Sequence, residues 1–317
     1  MLTPKFQTHF AGFMNQFVAL RRLSGTDYDS QIKLLVYFDK FLLNVAFQKD
    51  FITSEIIDQY LQTLSHLHPR SQGNRISVVR QFCQYIAQQE PNSYIPEPLH
   101  YPHAYSSRIP YIYTPNQITK ILHAAGNLSP QASIRPHTYT SFFGLLYTTG
   151  LRLSEAINLT INDLDLSSQL LYIRKGKFRK DRWVPLSRTT TEKLQIYLQK
   201  RRKVPPRGAD APLFINLNQK RLNSHTVYST FRILLHQCQL RKLKGAGPRI
   251  HDLRHTFAVH RLLQWYRQGK DLHACLPALA TYMGHIDIRS TQLYIHATSE
   301  LLEQVNQRFH SFACQTF

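Results

Sequence analysis

The chain has 317 residues, with 39 Lys and Arg against 19 Asp and Glu, a formal net charge of +20. At 43% hydrophobic and 12% aromatic its composition is that of a globular protein, which excludes a disordered or low-complexity chain, and its length predicts about two domains. No apolar run reaches the roughly 20 residues needed to cross a bilayer, and the opening MLTPKFQTHF lacks the charged-then-apolar layout of a secretory signal, so the expectation is a soluble, cytoplasmic protein without a membrane partner.

Residues 1–100 read as helical. Apolar residues recur at helical spacing in Ile57, Tyr60, Leu61 and Leu64 and again in Ile76, Val79, Phe82 and Ile86, and Arg70, Arg75 and Arg80 punctuate the second of these segments. Six prolines between Pro91 and Pro115 exclude a continuous helix and predict a linker at 101–110. A second domain is expected over 111–317. It opens with Thr114-Pro115 as N-cap and first turn of a helix through Ile118, Ile121 and Leu122. Leu170–Arg174 and Arg182–Leu186 are rich in β-branched, aromatic and aliphatic residues, and the basic stretch Lys175–Asp181 between them reads as the turn of an exposed hairpin. Further runs lie at Lys200–Lys203 and Arg241–Lys244. The four cysteines, Cys83, Cys238, Cys275 and Cys314, include no CxxC pair, which speaks against a disulfide scaffold or a thiolate zinc site and suits a reducing compartment.

An excess of cations points to a polyanion, because each Lys or Arg set on a phosphate releases condensed counterions. Four basic clusters together favour a nucleic acid over a merely solvated surface; Arg70, Arg75, Arg80, Lys175, Arg179, Lys180, Arg182, Arg241, Lys242 and Lys244 are the candidate contacts. Three segments carry candidate chemistry. In SFFGLLYTTGLRLSEAIN, Arg152 follows Gly150 where one helix could end and another begin; its partner is either Glu155, three residues on, or a phosphate, which a guanidinium fits with paired donors at a helix N-terminus. In HDLRH, His251 and Arg254 project from one helix face. His255 lies four residues from His251, but no glutamate occupies the second position and no Cys or carboxylate set accompanies the pair, so a metal site is not expected. In YMGHIDIRSTQLYIH, His285 follows Gly284 and Tyr294 comes nine residues later. The tyrosine hydroxyl could attack phosphorus to form a covalent intermediate, with Arg152, Arg254, His251, His285 and the hairpin lysines supplying charge and protons.

These segments, in this order, resemble the tyrosine recombinases of the phage-integrase superfamily: TGLRLSEAINLTINDLDL is similar to the arginine box, HDLRH to the HxxR box, MGHIDIRSTQLYIH to the final box, and GKFRKDRWVPL to the lysine hairpin. RSQGNRISVVRQFCQYIAQ resembles the SAM-like core-binding domain. The resemblance implies a mainly α fold with a small antiparallel β-sheet, as a helical core-binding domain followed by a catalytic domain with a C-terminal tail helix. It implies a catalytic set of Arg152, Lys177, His251, Arg254, His285 and the nucleophile Tyr294; alignment on Val184-Pro185-Leu186 selects Lys177 over Lys175. No cofactor or metal is expected. The implied partner is double-stranded DNA bearing specific recombination sites, bound by a homotetramer on two sites, with accessory proteins as possible helpers. The stretch between Arg254 and His285 is longer than in compact chromosome-dimer resolvers and resembles the transposon-encoded branch. Two alternatives stay open: a type IB-like topoisomerase with the same phosphotyrosine chemistry, and a non-catalytic DNA-binding accessory protein. The tail, with Leu301, Leu302, Val305 and Phe309 at helical spacing, packs either on its own domain or on a neighbouring protomer.

Overall fold

A computed structural model describes residues 5–25, 28–99, 110–174, 176, 181–241 and 247–285. The chain divides into two compact units, Met1–Arg108 and Ile109–Phe317. The tail helix expected after residue 298 lies outside the described residues.

The first unit is helical, with α1 (Ala11–Leu23), α2 (Asp29–Asn44), α3 (Ser54–Thr63) and α4 (Pro69–Ile86). Thr53 caps α3 by accepting a hydrogen bond from the Ile56 amide, and Pro69 starts α4 where its missing N–H costs nothing. The residues picked out by helical spacing make the core: Ile57, Tyr60, Leu64, Ile76, Val79, Phe82 and Ile86 are all buried, packed with Phe10, Phe17, Leu35 and Phe38. Asp39 of α2 is buried too. Its carboxylate accepts from the Gln7 and Thr8 amides at 2.8 and 3.1 Å and from the Thr8 hydroxyl at 2.6 Å, which ties the segment before α1 to the bundle.

The three α4 arginines do not form a row. Steps of five residues turn a helix by about 140°, so they fan around it. Arg70 is exposed, Arg75 stacks over the Tyr37 ring at 4.4 Å, and Arg80 is half-buried.

The second unit runs α5 (Pro115–Gly126), α6 (Arg135–Thr149), α7 (Leu153–Asn158), a 3-10 turn, the strands β1 (Leu164–Asp165), β2 (Leu170–Ile173) and β3 (Arg182–Pro185), then α8 (Arg188–Arg201), α9 (Ser224–Gln237), α10 (Asp252–Arg267) and α11 (Leu272–Met283). Thr114 and Gln117 close a reciprocal capping box on α5. No residue of α6 is exposed; Phe142, Phe143, Leu145 and Leu146 are buried, and the helix packs against α5, α8 and α10. β2 and β3 form the expected hairpin, antiparallel with Leu171 opposite Val184 and Tyr172 opposite Trp183. β1, only two residues long, adds a third antiparallel strand beside β2 that no sequence period could have revealed.

The Lys200–Lys203 run is not a uniform basic surface. Arg201 is fully buried, and its guanidinium donates to the carbonyls of Val204 (2.6 Å), Pro206 (2.9 Å) and Pro212 (3.1 and 2.9 Å), holding the loop after α8. No described helix is long and apolar enough to cross a membrane.

Candidate active site

The site forms where two helices end on glycine. α6 stops at Gly150 (φ +62°), and a Cβ there would collide with the Phe257 ring of α10, so only glycine serves both the left-handed turn and the close approach. Gly150→Ala should lower stability by about 2–5 kcal/mol, the left-handed penalty plus that of overpacking the ring. Gly12→Ala, in α1 with open space around the added carbon, should instead raise it by up to about 1 kcal/mol. Equilibrium denaturation of the two variants checks both signs.

The turn after Gly150 places Arg152 at the N-cap of α7. Its backbone N–H and Nη1 donate to the two oxygens of Glu155, at 2.9 and 2.8 Å, and its Nη2 donates to the Gly284 carbonyl at 2.8 Å. Of the two partners expected for Arg152, Glu155 is paired with it here. It is shared, however: Arg182 of β3 holds the same carboxylate with both arms, at 3.0 and 2.9 Å, and sends Nε to the Tyr282 carbonyl at 3.0 Å. Burial opposes ionisation of Glu155, but the hydrogen bonds and charge of Arg182, followed by those of Arg152, outweigh it and hold its pKa below the usual carboxylate range.

Arg254, on the first turn of α10, is 3% exposed; it donates to the Gly150 carbonyl and, at 2.8 Å, to the Met283 carbonyl. α11 therefore ends with three successive carbonyls, those of Tyr282, Met283 and Gly284, that accept from Arg182, Arg254 and Arg152 respectively. The negative end of a helix dipole is a favourable place for cations. Gly284 (φ +69°) turns the chain there, and the next residue, half-buried His285, donates its amide to the Ala280 carbonyl.

His251, at the N-cap of α10, keeps an exposed edge. The packed protein around the ring, then the charges of Arg254 and Arg249, push its pKa below the ordinary imidazole value. His255 stands edge-on to it with ring centroids 4.9 Å apart, and burial, followed by the charge of His251, pulls its pKa down to about 4. Arg249 is held by Asp252 through its amide (2.7 Å) and Nη2 (3.0 Å). Among the described residues no group of three His, Cys, Asp or Glu is arranged to hold a metal ion.

Arg152 and Arg254 thus meet at the turn that ends α11, where His285 follows, and His251, one helical turn before Arg254, lies near enough to both arginines to feel their charges. Lys177 and Tyr294 lie outside the described residues, as do Lys175, Arg179, Lys180, Lys242 and Lys244; Arg241 is half-buried. Arg182 differs from its expected place on a DNA-facing surface: only 12% of its side chain is exposed, because the carboxylate and carbonyl that satisfy it lie inside the site. The strand period carried that information, since Arg182 pairs with buried Ile173 while the alternate pair, Tyr172 and Trp183, faces out.

Residues 112–300 match the phage integrase family. The chain is 34% identical over 304 residues to the integrase/recombinase-type protein y4rB of Sinorhizobium fredii, covering 94% of this chain and 96% of the relative. It is 29% identical over 267 residues to the tyrosine recombinase XerD of Staphylococcus saprophyticus, covering 82% and 84%. Its fold is similar to that of the XerH site-specific recombinase bound to a palindromic difH substrate (TM-score 0.66, 20% identity, 93% of this chain and 85% of that one). It is also similar to that of the Tn1549 transposon integrase in complex with transposon right end DNA (TM-score 0.63, 16% identity, 93% and 98%). The chain belongs to the phage integrase family. It is a site-specific recombinase of the tyrosine type.

Proposed function

We propose that the protein cleaves and rejoins double-stranded DNA at specific recombination sites of a mobile element, through a 3′-phosphotyrosyl intermediate on Tyr294. The observation that carries this reading is the meeting of Arg152 and Arg254 at the turn that precedes His285, with His251 near enough to feel both charges and Arg182 sharing the Glu155 carboxylate with Arg152, a balance of 3 − 1 = +2 among the three arginines and that carboxylate. Such a cradle suits a phosphate acquiring charge in a transition state. The net charge of +20 and the DNA-bound relatives agree with it.

In this reading the Tyr294 oxygen bonds to phosphorus as the bond to the 5′-oxygen breaks. The phenol proton passes to His251, and Lys177 gives a proton to the departing 5′-oxygen. Arg152 and Arg254 hold the non-bridging oxygens while His285 hydrogen-bonds the phosphate. The phosphotyrosyl bond conserves the energy of the cleaved linkage, so a 5′-hydroxyl from a partner strand reverses the step without a cofactor. The helical domain over 1–100 grips the duplex, the catalytic domain over 111–317 cuts it, and four protomers assemble on two sites in the cytoplasm that holds the DNA.

The test uses a duplex selected by the protein from a random-sequence pool, nicked so that the cleaved end diffuses away. Denaturation should leave a covalent protein–DNA adduct whose labelled peptide contains Tyr294. Absence of any adduct on a bound duplex overturns the reading. A pH profile tests the base. His251 must be neutral to take the phenol proton, and its lowered pKa keeps it so at neutral pH. Adduct formation at subsaturating DNA should therefore stay level down to about pH 6.5, the ordinary imidazole value, and fall only below it. A fall that begins above that value excludes His251 from the role.

A further inference from the structure

Arg152 is gripped at two points, by the Glu155 carboxylate and by the Gly284 carbonyl; Arg182 bonds the first and packs against the glycine that carries the second. Its two arms lie along the Glu155 carboxylate in a forked pair, at 3.0 and 2.9 Å. Each Glu155 oxygen then has one bond left to make toward Arg152: Oε1 takes the Nη1 proton at 2.8 Å and Oε2 takes the backbone amide at 2.9 Å. A carboxylate released from that fork would be free to rotate and bind the Arg152 guanidinium with both oxygens, drawing its donors away from any other anion. The second grip depends on Arg182 as well. Its Nε fixes the Tyr282 carbonyl at 3.0 Å, and its guanidinium lies so close over Gly284 that an added Cβ would stand 2.8 Å from Nη1. The turn that carries the Gly284 carbonyl is therefore built against Arg182.

We propose that Arg182 is a positioning residue for strand cleavage, limiting Glu155 to a one-point hold on the Arg152 guanidinium and shaping the Gly284 turn, so that the remaining Arg152 donors face the scissile phosphate. The inference rests on the reading of Arg152 as a phosphate ligand. Neutralisation of a buried carboxylate is a different role, and a lysine would serve it. A lysine cannot supply the fork, because its single ammonium does not span two carboxylate oxygens and a carbonyl on a third side.

The experiment compares Arg182→Lys and Arg152→Lys in the full-length protein on two versions of the selected nicked duplex. One carries an ordinary scissile phosphate and the other a methylphosphonate, in which a methyl group replaces a charged non-bridging oxygen. Single-turnover adduct formation, duplex binding and the denaturation midpoint are measured for each variant. On the phosphodiester, Arg182→Lys should slow adduct formation by about 10²-fold, the scale of a misplacement transmitted to a reacting centre, with binding unchanged. On the methylphosphonate, whose transition state carries less charge for arginine to balance, the defect should shrink in parallel with that of Arg152→Lys. If Arg182→Lys unfolds, the double variant Glu155→Gln with Arg182→Met removes both charges together and should show the same substrate dependence. A wild-type rate for Arg182→Lys, or a defect of equal size on both duplexes, overturns the inference. Full activity of Arg152→Lys on the phosphodiester overturns the reading of Arg152 itself, and the inference with it.

Discussion

Tyr294→Phe should take covalent adduct formation to background while leaving duplex binding within a few-fold of wild type. The change removes one oxygen and keeps the ring, so packing and backbone preferences are preserved, whereas the only atom able to bond phosphorus from that side chain is gone. Removing a covalent nucleophile from a site that acts as a unit costs on the order of 10⁶ in rate. The cradle of arginines would remain and hold the phosphate with no attacking group. Trapping on the nicked duplex, beside a binding measurement on the same duplex, separates the two effects. A Tyr294→Phe variant that still forms adducts would place the nucleophile on another of the 17 tyrosines.

Arg254→Ala should lose both activity and stability. Its two arms bridge the carbonyl that ends α6 and the one that ends α11, so the side chain is at once a phosphate ligand in the proposed reaction and a tie between those helices. Loss of one preorganised donor to a developing charge costs about 10²–10³ in rate. Two carbonyls in a buried setting, left without their charged donor, cost roughly 2–5 kcal/mol in folding. Arg254→Lys keeps the charge but reaches only one of the two carbonyls, and should recover part of the stability with little of the rate. Adduct kinetics and denaturation midpoints on the three proteins test this pattern; a lysine variant with the wild-type rate would sink it.

Much of the fold was legible because it rests on period and punctuation. Ile76, Val79, Phe82 and Ile86 fall on one face of α4, Thr114-Pro115 announces α5, and runs rich in β-branched, aromatic and aliphatic residues on either side of Lys175–Asp181 announce the hairpin. The candidate site was legible at Arg152, His251, Arg254 and His285 because each stands in a recognisable local segment. Arg201 and Asp39 were not legible as internal residues, and Arg182 was legible only through the strand period. Each is buried by backbone groups brought from elsewhere: the carbonyl of Tyr282, the carbonyls of Val204, Pro206 and Pro212, and the amides of Gln7 and Thr8. A backbone carbonyl has no residue identity, so a motif built of side-chain letters cannot record that an arginine will meet one. The basic runs therefore overcounted the cations available to DNA. Period-two alternation, applied to β3, would have turned Arg182 inward.

The three carbonyls at the end of α11 also bear on the order in which the protein is made. They lie 132, 29 and 100 residues along the chain from the arginines they receive, Arg152, Arg254 and Arg182. A chain still on the ribosome that has emerged only as far as α10 has its HxxR segment, its hairpin and the Gly150 and Glu155 acceptors, but lacks the α11 carbonyls that complete the setting of the three guanidinium groups. Contacts of such long separation form late in folding. Nascent chains of this protein accordingly carry a strongly cationic but unassembled site, and the capacity to break DNA arrives only with the last part of the catalytic unit.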